Sequence, residues 1–174
     1  VTHGPWYCLP NADVTLNGFT LTYKPISGND KAVFFPTVND DGKIVLDGSQ
    51  NRAAGVTWKG TSPDNVFEIK NNGGWRFWST AIAGAGRDKW TFRFVAGTCK
   101  IYGDRTQQGR EQANGNNTFW NPWEIASGAT VELLSHGNTE GSSIYLRGPV
   151  SGGGDFKLQD GNTREPRYLH LLNP

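Results

Sequence analysis

Methionine is missing from this chain, and only two cysteines, Cys8 and Cys99, occur in its 174 residues. Neither stands in a Cys-x-x-Cys or similar spacing, which excludes a compact thiolate metal site or a thioredoxin-type redox motif. Two readings of the pair stay open. The preferred one is a Cys8–Cys99 disulfide, which in the chain-entropy account would contribute roughly 4 to 5 kcal/mol because the loop is long. The other is two buried thiols in a cytosolic protein. No run of about 18 apolar residues is present, so the sequence encodes no bilayer-spanning helix and no membrane insertion is expected. An excess of one charge is lacking as well: 17 Lys and Arg stand against 16 Asp and Glu, a net charge of +1, scattered singly. That excludes the electrostatic footprint of a nucleic-acid partner or an anionic membrane. There is no Gly-x-Ser-x-Gly elbow, phosphate-binding glycine loop or His-Glu-x-x-His pair, and no cofactor is implied. His3, His136 and His170 are far apart in sequence, so a metal site would have to be assembled by the fold.

What is abundant is glycine (23), with nine prolines and seven tryptophans. Turn formers and aromatics together favour an all-β chain over a helical one, and no segment carries a sustained helical stripe. Runs of period two recur: Ile44-Val45-Leu46, Val56-Thr57-Trp58, Val66-Phe67-Glu68-Ile69, Trp75-Arg76-Phe77-Trp78, and residues 90–95, 98–102, 130–134, 143–147, 155–158 and 167–172. In 90–95, Trp90, Phe92 and Phe94 fall on one side, which is assigned to the core. Asn17-Gly18, between two alternating runs, predicts a hairpin, with a bulge in one long strand as the rival. No internal repeat is visible. One domain spanning residues 1–174 is expected, and short strands at intervals of about 8 to 12 residues, with turn signals between them, predict an all-β sandwich or barrel.

Candidate binding residues come from three stretches. Gly73-Gly74-Trp75-Arg76-Phe77-Trp78 would place Trp75 and Phe77 in the core and leave Arg76 and Trp78 on the other face. Residues 103–117 contain almost nothing to bury, and long polar loops in compact domains are commonly functional. There Asp104, Arg105, Gln107, Arg110 and Asn116 supply the carboxylates, amides and guanidinium groups that bind vicinal hydroxyls. The third stretch is Trp120-Asn121-Pro122-Trp123, a turn in which two indoles cannot both be hidden. Rings with a polar edge, beside amides, suit the faces and hydroxyls of sugars. Carboxylates such as Asp88, Asp104, Glu111 and Glu124 exist for a glycosidase, but their spacing in sequence says nothing of the distance that reaction requires.

Two motifs carry a family resemblance: Gly73-Gly74-Trp75-Arg76-Phe77, and Val131-Glu132-Leu133-Leu134 leading through Gly141 to Ile144-Tyr145-Leu146-Arg147-Gly148-Pro149. In these, about a sixth of the chain, the sequence resembles the receptor-binding lectin domain of bacterial chaperone-usher fimbrial tip adhesins. The resemblance implies an elongated β-sandwich or jelly-roll of many short antiparallel strands, immunoglobulin-like, with a distal glycan site, a fimbrial-tip location, and a following pilin domain that joins other fimbrial subunits. The mature-looking start Val1-Thr2-His3 fits secretion. The expected function is non-catalytic binding of host or surface glycans by a secreted adhesin, monomeric in isolation. A small secreted polysaccharide-active enzyme or its carbohydrate-binding module is the alternative.

Overall fold

In the computed structural model the described residues are 2–3, 13–15, 17–23, 37–38, 41–48, 50–58, 60–83, 88–104, 117–136, 143–159 and 168–173. All the regular structure among them is β, and every strand pairing is parallel. Sheet A runs in the order β1 (Thr2–His3), β3 (Thr20–Tyr23), β5 (Lys43–Asp47), β7 (Val66–Lys70), β9 (Thr91–Phe94), β12 (Trp123–Ile125) and β15 (Val150–Gly152). Sheet B contains, from the opposite end, β2 (Asp13–Val14), β4 (Thr37–Val38), β6 (Gln50–Trp58), β8 (Gly74–Ala83), β10 (Gly97–Asp104), β13 (Ala129–His136) and β16 (Asp155–Gln159). Sheet C is built from β11 (Asn117–Phe119), β14 (Ser143–Leu146) and β17 (Tyr168–Leu171).

The chain therefore visits A, then B, and later A, B and C in turn, before coming back beside its own previous strand. This is a parallel β-solenoid. The immunoglobulin-like antiparallel sandwich expected from the sequence is overturned by the pairing. Lys43 stands opposite Val66 and Val66 opposite Thr91, in parallel register, where a hairpin-linked sandwich would need antiparallel neighbours. The repeat that the sequence conceals is the coil itself. Its step is 23 residues from Lys43 to Val66 and 31 from Phe92 to Trp123, the longer step being the one that takes in β11 of sheet C. The Asn17-Gly18 signal is real at the level of the backbone, since both residues are left-handed (φ 49° and 76°). It does not make a hairpin: β2 and β3 on either side belong to different sheets, and Gly18 N donates to Asp41 O of the next coil at 2.7 Å.

Alternation decides what each strand buries. Register stacks inward residues of successive coils into columns: Leu21, Ile44, Phe67, Phe92, Trp123 and Val150 in one, Leu46, Ile69, Phe94 and Ile125 in the next. Sheet B contributes Cys99, Val131 and Phe156, and sheet C contributes Phe119 and Leu146. Phe67 and Phe92 are 5.3 Å apart, Phe94 and Trp123 4.9 Å, and Phe119 and Trp123 5.3 Å between centroids. Burying each such side chain contributes about 1.5 to 3 kcal/mol. Trp90, Phe92 and Phe94 are all fully buried, as the alternation in 90–95 requires.

Between the columns, buried amides tie one coil to the next. Asn65 Oδ1 accepts from Gly42 N at 2.8 Å while its Nδ2 donates to Asp41 Oδ1 at 3.2 Å, and Asn121 Nδ2 donates to Trp90 O at 2.9 Å. Outward residues pair along the stack. Glu68, nearly buried, lies between Lys43 (2.5 Å) and Lys70 (3.8 Å), and Glu132 between Lys157 (3.1 Å) and Lys100 (3.6 Å). Those lysines offset the desolvation of the two carboxylates.

Candidate functional site

Sheet C presents the least ordinary outer surface. Phe119 and Leu146 point into the core, so Tyr145, next to Leu146 on β14, faces the other way. Tyr145 and His170 stand opposite each other in register, and their rings stack with centroids 4.4 Å apart and planes only 9° from parallel. Two bonds, Arg147 N to Phe119 O (2.7 Å) and Leu172 N to Leu146 O (2.9 Å), continue the sheet ladder one residue beyond the strands. They bring Trp120, Arg147 and Leu172 into a second outward row beside the first. In it the Arg147 guanidinium carbon lies 4.9 Å from the Trp120 ring centre. Trp120 is 37% exposed and Leu172 48%.

The corner after β11 separates the two indoles that the sequence places together. Asn121 is fully buried, its amide held by Trp90 O, and Pro122 O accepts from Phe92 N at 2.8 Å. This sharp corner turns Trp120 outward and Trp123 inward. Gly148 packs against it so closely that an added Cβ would stand 2.0 Å from Asn121 O. Trp123 Nε1 and Asn121 Oδ1 are both buried with no hydrogen-bond partner.

Of the residues expected to bind ligand, then, Trp120 is at an accessible surface. Trp123 and Asn121 are not: the first is a core residue in contact with Phe92, Phe94, Phe119 and Phe156, and the second is an internal tie. Arg76 and Trp78 lie on β8 and Asp104 at the end of β10, in sheet B rather than sheet C. Backbone register sets Trp78 opposite Asp104, Asp104 opposite His136 and Arg76 opposite Tyr102, so these three candidates share one region of sheet B. Arg105, Gln107, Arg110 and Asn116 lie outside the described residues, as does Cys8. Cys99 is a fully buried free thiol whose Sγ lies 3.3 Å from Ile69 O, and burial pushes its pKa up to about 11 from 9.0.

Tyr145, Arg147, His170 and Leu172 were not singled out as binding residues by the sequence. Their alternation with Leu146, Leu169 and Leu171 is readable there; the register that sets His170 beside Tyr145, 25 residues away, is not. Among the described residues no group of three or more His, Cys, Asp or Glu is arranged to hold a metal ion. Comparison with protein-family models, curated proteins and solved structures finds no match to this chain.

Proposed function

We propose that the outer face of sheet C binds glycans without chemical turnover, and that the protein serves attachment outside the cell, where glycans are displayed. The observation that carries this reading is the exposed Trp120 ring with Arg147 4.9 Å above it, beside the stacked Tyr145 and His170. Flat rings supply apolar surface for a pyranose, and the guanidinium, phenol and imidazole supply polar edges for its hydroxyls. The resemblance to fimbrial lectin domains carried a sandwich that this chain does not have, so the proposal rests on the face itself. Hydrolysis would call for a pair of carboxyl groups across the scissile bond, whereas the outward residues Trp120, Tyr145, Arg147, His170 and Leu172 include none. Affinity at one such open surface would be modest, and attachment would depend on many copies acting together.

A glycan array probed with the purified chain tests the proposal, followed by titration of the best ligand into Trp120→Ala. The expected result is measurable binding that weakens about tenfold in the variant, or roughly 1.4 kcal/mol. Equal binding by both proteins would remove the sheet C face from consideration.

A further inference from the structure

Six of the basic side chains described by the structure are matched to a carboxylate. Lys43 and Lys70 pair with Glu68, Lys89 with Asp88, Arg93 with Glu124, and Lys100 and Lys157 with Glu132, all within 3.8 Å. Among the residues whose side chains the structure describes, Arg147 is the arginine or lysine that differs. It is exposed, it has no ion pair, and its contact is with the Trp120 ring. Its outward neighbours in sheet C, Tyr145, His170 and Leu172, bring no negative charge either.

A cation with no carboxylate partner, set beside an exposed indole while six other basic side chains are paired, has the chemistry of an anion site with a stacking platform. Arginine suits this role: its flat guanidinium rests on a ring while the N–H groups around its rim bond a carboxylate in a two-pronged fork. We infer that the ligand of this face is an acidic saccharide, one whose carboxylate or sulfate is held by Arg147 while an adjoining sugar ring packs against Trp120 and Tyr145. This rests on the reading of sheet C as a glycan surface and adds the charge of the sugar to it. Nucleic acid also combines rings with anions, but binding it draws on a track of several cations, and the chain has a net charge of only +1.

The test uses paired probes: uronate-containing, sialylated and sulfated oligosaccharides, each beside its carboxyl-reduced or desulfated counterpart, titrated by calorimetry. An oligothymidylate serves as the nucleic-acid control. The wild-type chain is expected to bind at least one acidic member tenfold or more tightly than its neutral counterpart. Arg147→Gln should abolish that preference and leave weak binding of the neutral sugar, while Arg147→Lys retains part of it. Arg147 is exposed, so unchanged melting curves are expected for both variants and would tie the loss to the site. If acidic and neutral partners bind equally and only Trp120→Ala weakens them, the glycan reading stands and the acidic inference fails. If no saccharide binds, both fail. Oligothymidylate binding that exceeds every saccharide and depends on Arg147 would overturn the inference in favour of a nucleotide ligand.

Discussion

Cys99 and Gly148 show how tightly single positions are specified. Because burial raises the Cys99 thiol to about 11 from 9.0, the folded protein keeps this proton over a range in which the unfolded chain has released it. The unfolded state then binds fewer protons than the native state, so this group's contribution to stability is intact below pH 9 and is lost as pH rises through 11. Urea denaturation between pH 8 and 11 should show stability falling by up to about 1.4 kcal/mol per pH unit from this source. Cys99→Ala should follow a shallower slope; identical slopes in the two proteins would refute the assignment. Gly148 has no room for a side chain against the Asn121 backbone. Gly148→Ala should therefore destabilise by about 3 kcal/mol, at the upper end for overpacking, since the obstacle is main chain rather than a movable side chain. It should also displace Trp120 and weaken glycan binding, a coupling that a thermal melt and a titration of the same variant would reveal.

At the level of the strand, period-two alternation is a local property, and it shows in the sequence. Ile44 and Leu46, Phe67 and Ile69, and Phe92 and Phe94 all turn inward as that pattern requires. What the pattern does not contain is the neighbour. Phe67 lies beside Ile44 and Phe92, and nothing about these residues beyond their being apolar marks them as partners. Asn17-Gly18 illustrates the same limit, with left-handed geometry correctly implied by residue type and the strand pairing decided elsewhere. Trp120 and Trp123 both read as binding residues in the sequence, and the burial of Trp123 was not legible because it depends on the corner held by the buried Asn121. Trp123→Ala should cost about 3 to 5 kcal/mol by chemical denaturation. Trp123→Phe should cost far less than that, since it keeps most of the ring surface and removes the indole N–H that finds no partner. Equal losses for the two would mean that the ring contacts are not what β12 contributes.

For the molecule as a whole, each coil contacts chiefly its neighbours, so stability is a sum along the stack rather than a property of one centre. Hydrogen exchange should reflect that gradient. Slowest exchange is expected in β7, β9, β12 and the first half of β13, where coils lie on both sides and the residues are buried, and faster exchange in β17, which forms an edge of sheet C with Leu171 49% exposed. Uniform protection across these strands would argue for one indivisible unit. The solenoid was the least legible feature, because steps of 23 and 31 residues do not repeat any sequence.

The column from Leu21 through Ile44, Phe67, Phe92 and Trp123 to Val150 widens and then narrows along the stack. A coil is consequently fitted to its own level. Transplanting the segment that carries Phe67 to the level of Val150 would put a large ring where the column tapers, whereas exchange with the adjoining level would nearly conserve volume. Each coil has to fit only the one before and the one after, and even adjoining levels can differ widely in bulk, as Trp123 beside Val150 does. A stack filled in this way asks successive coils to share apolar character at their inward positions and no particular residue.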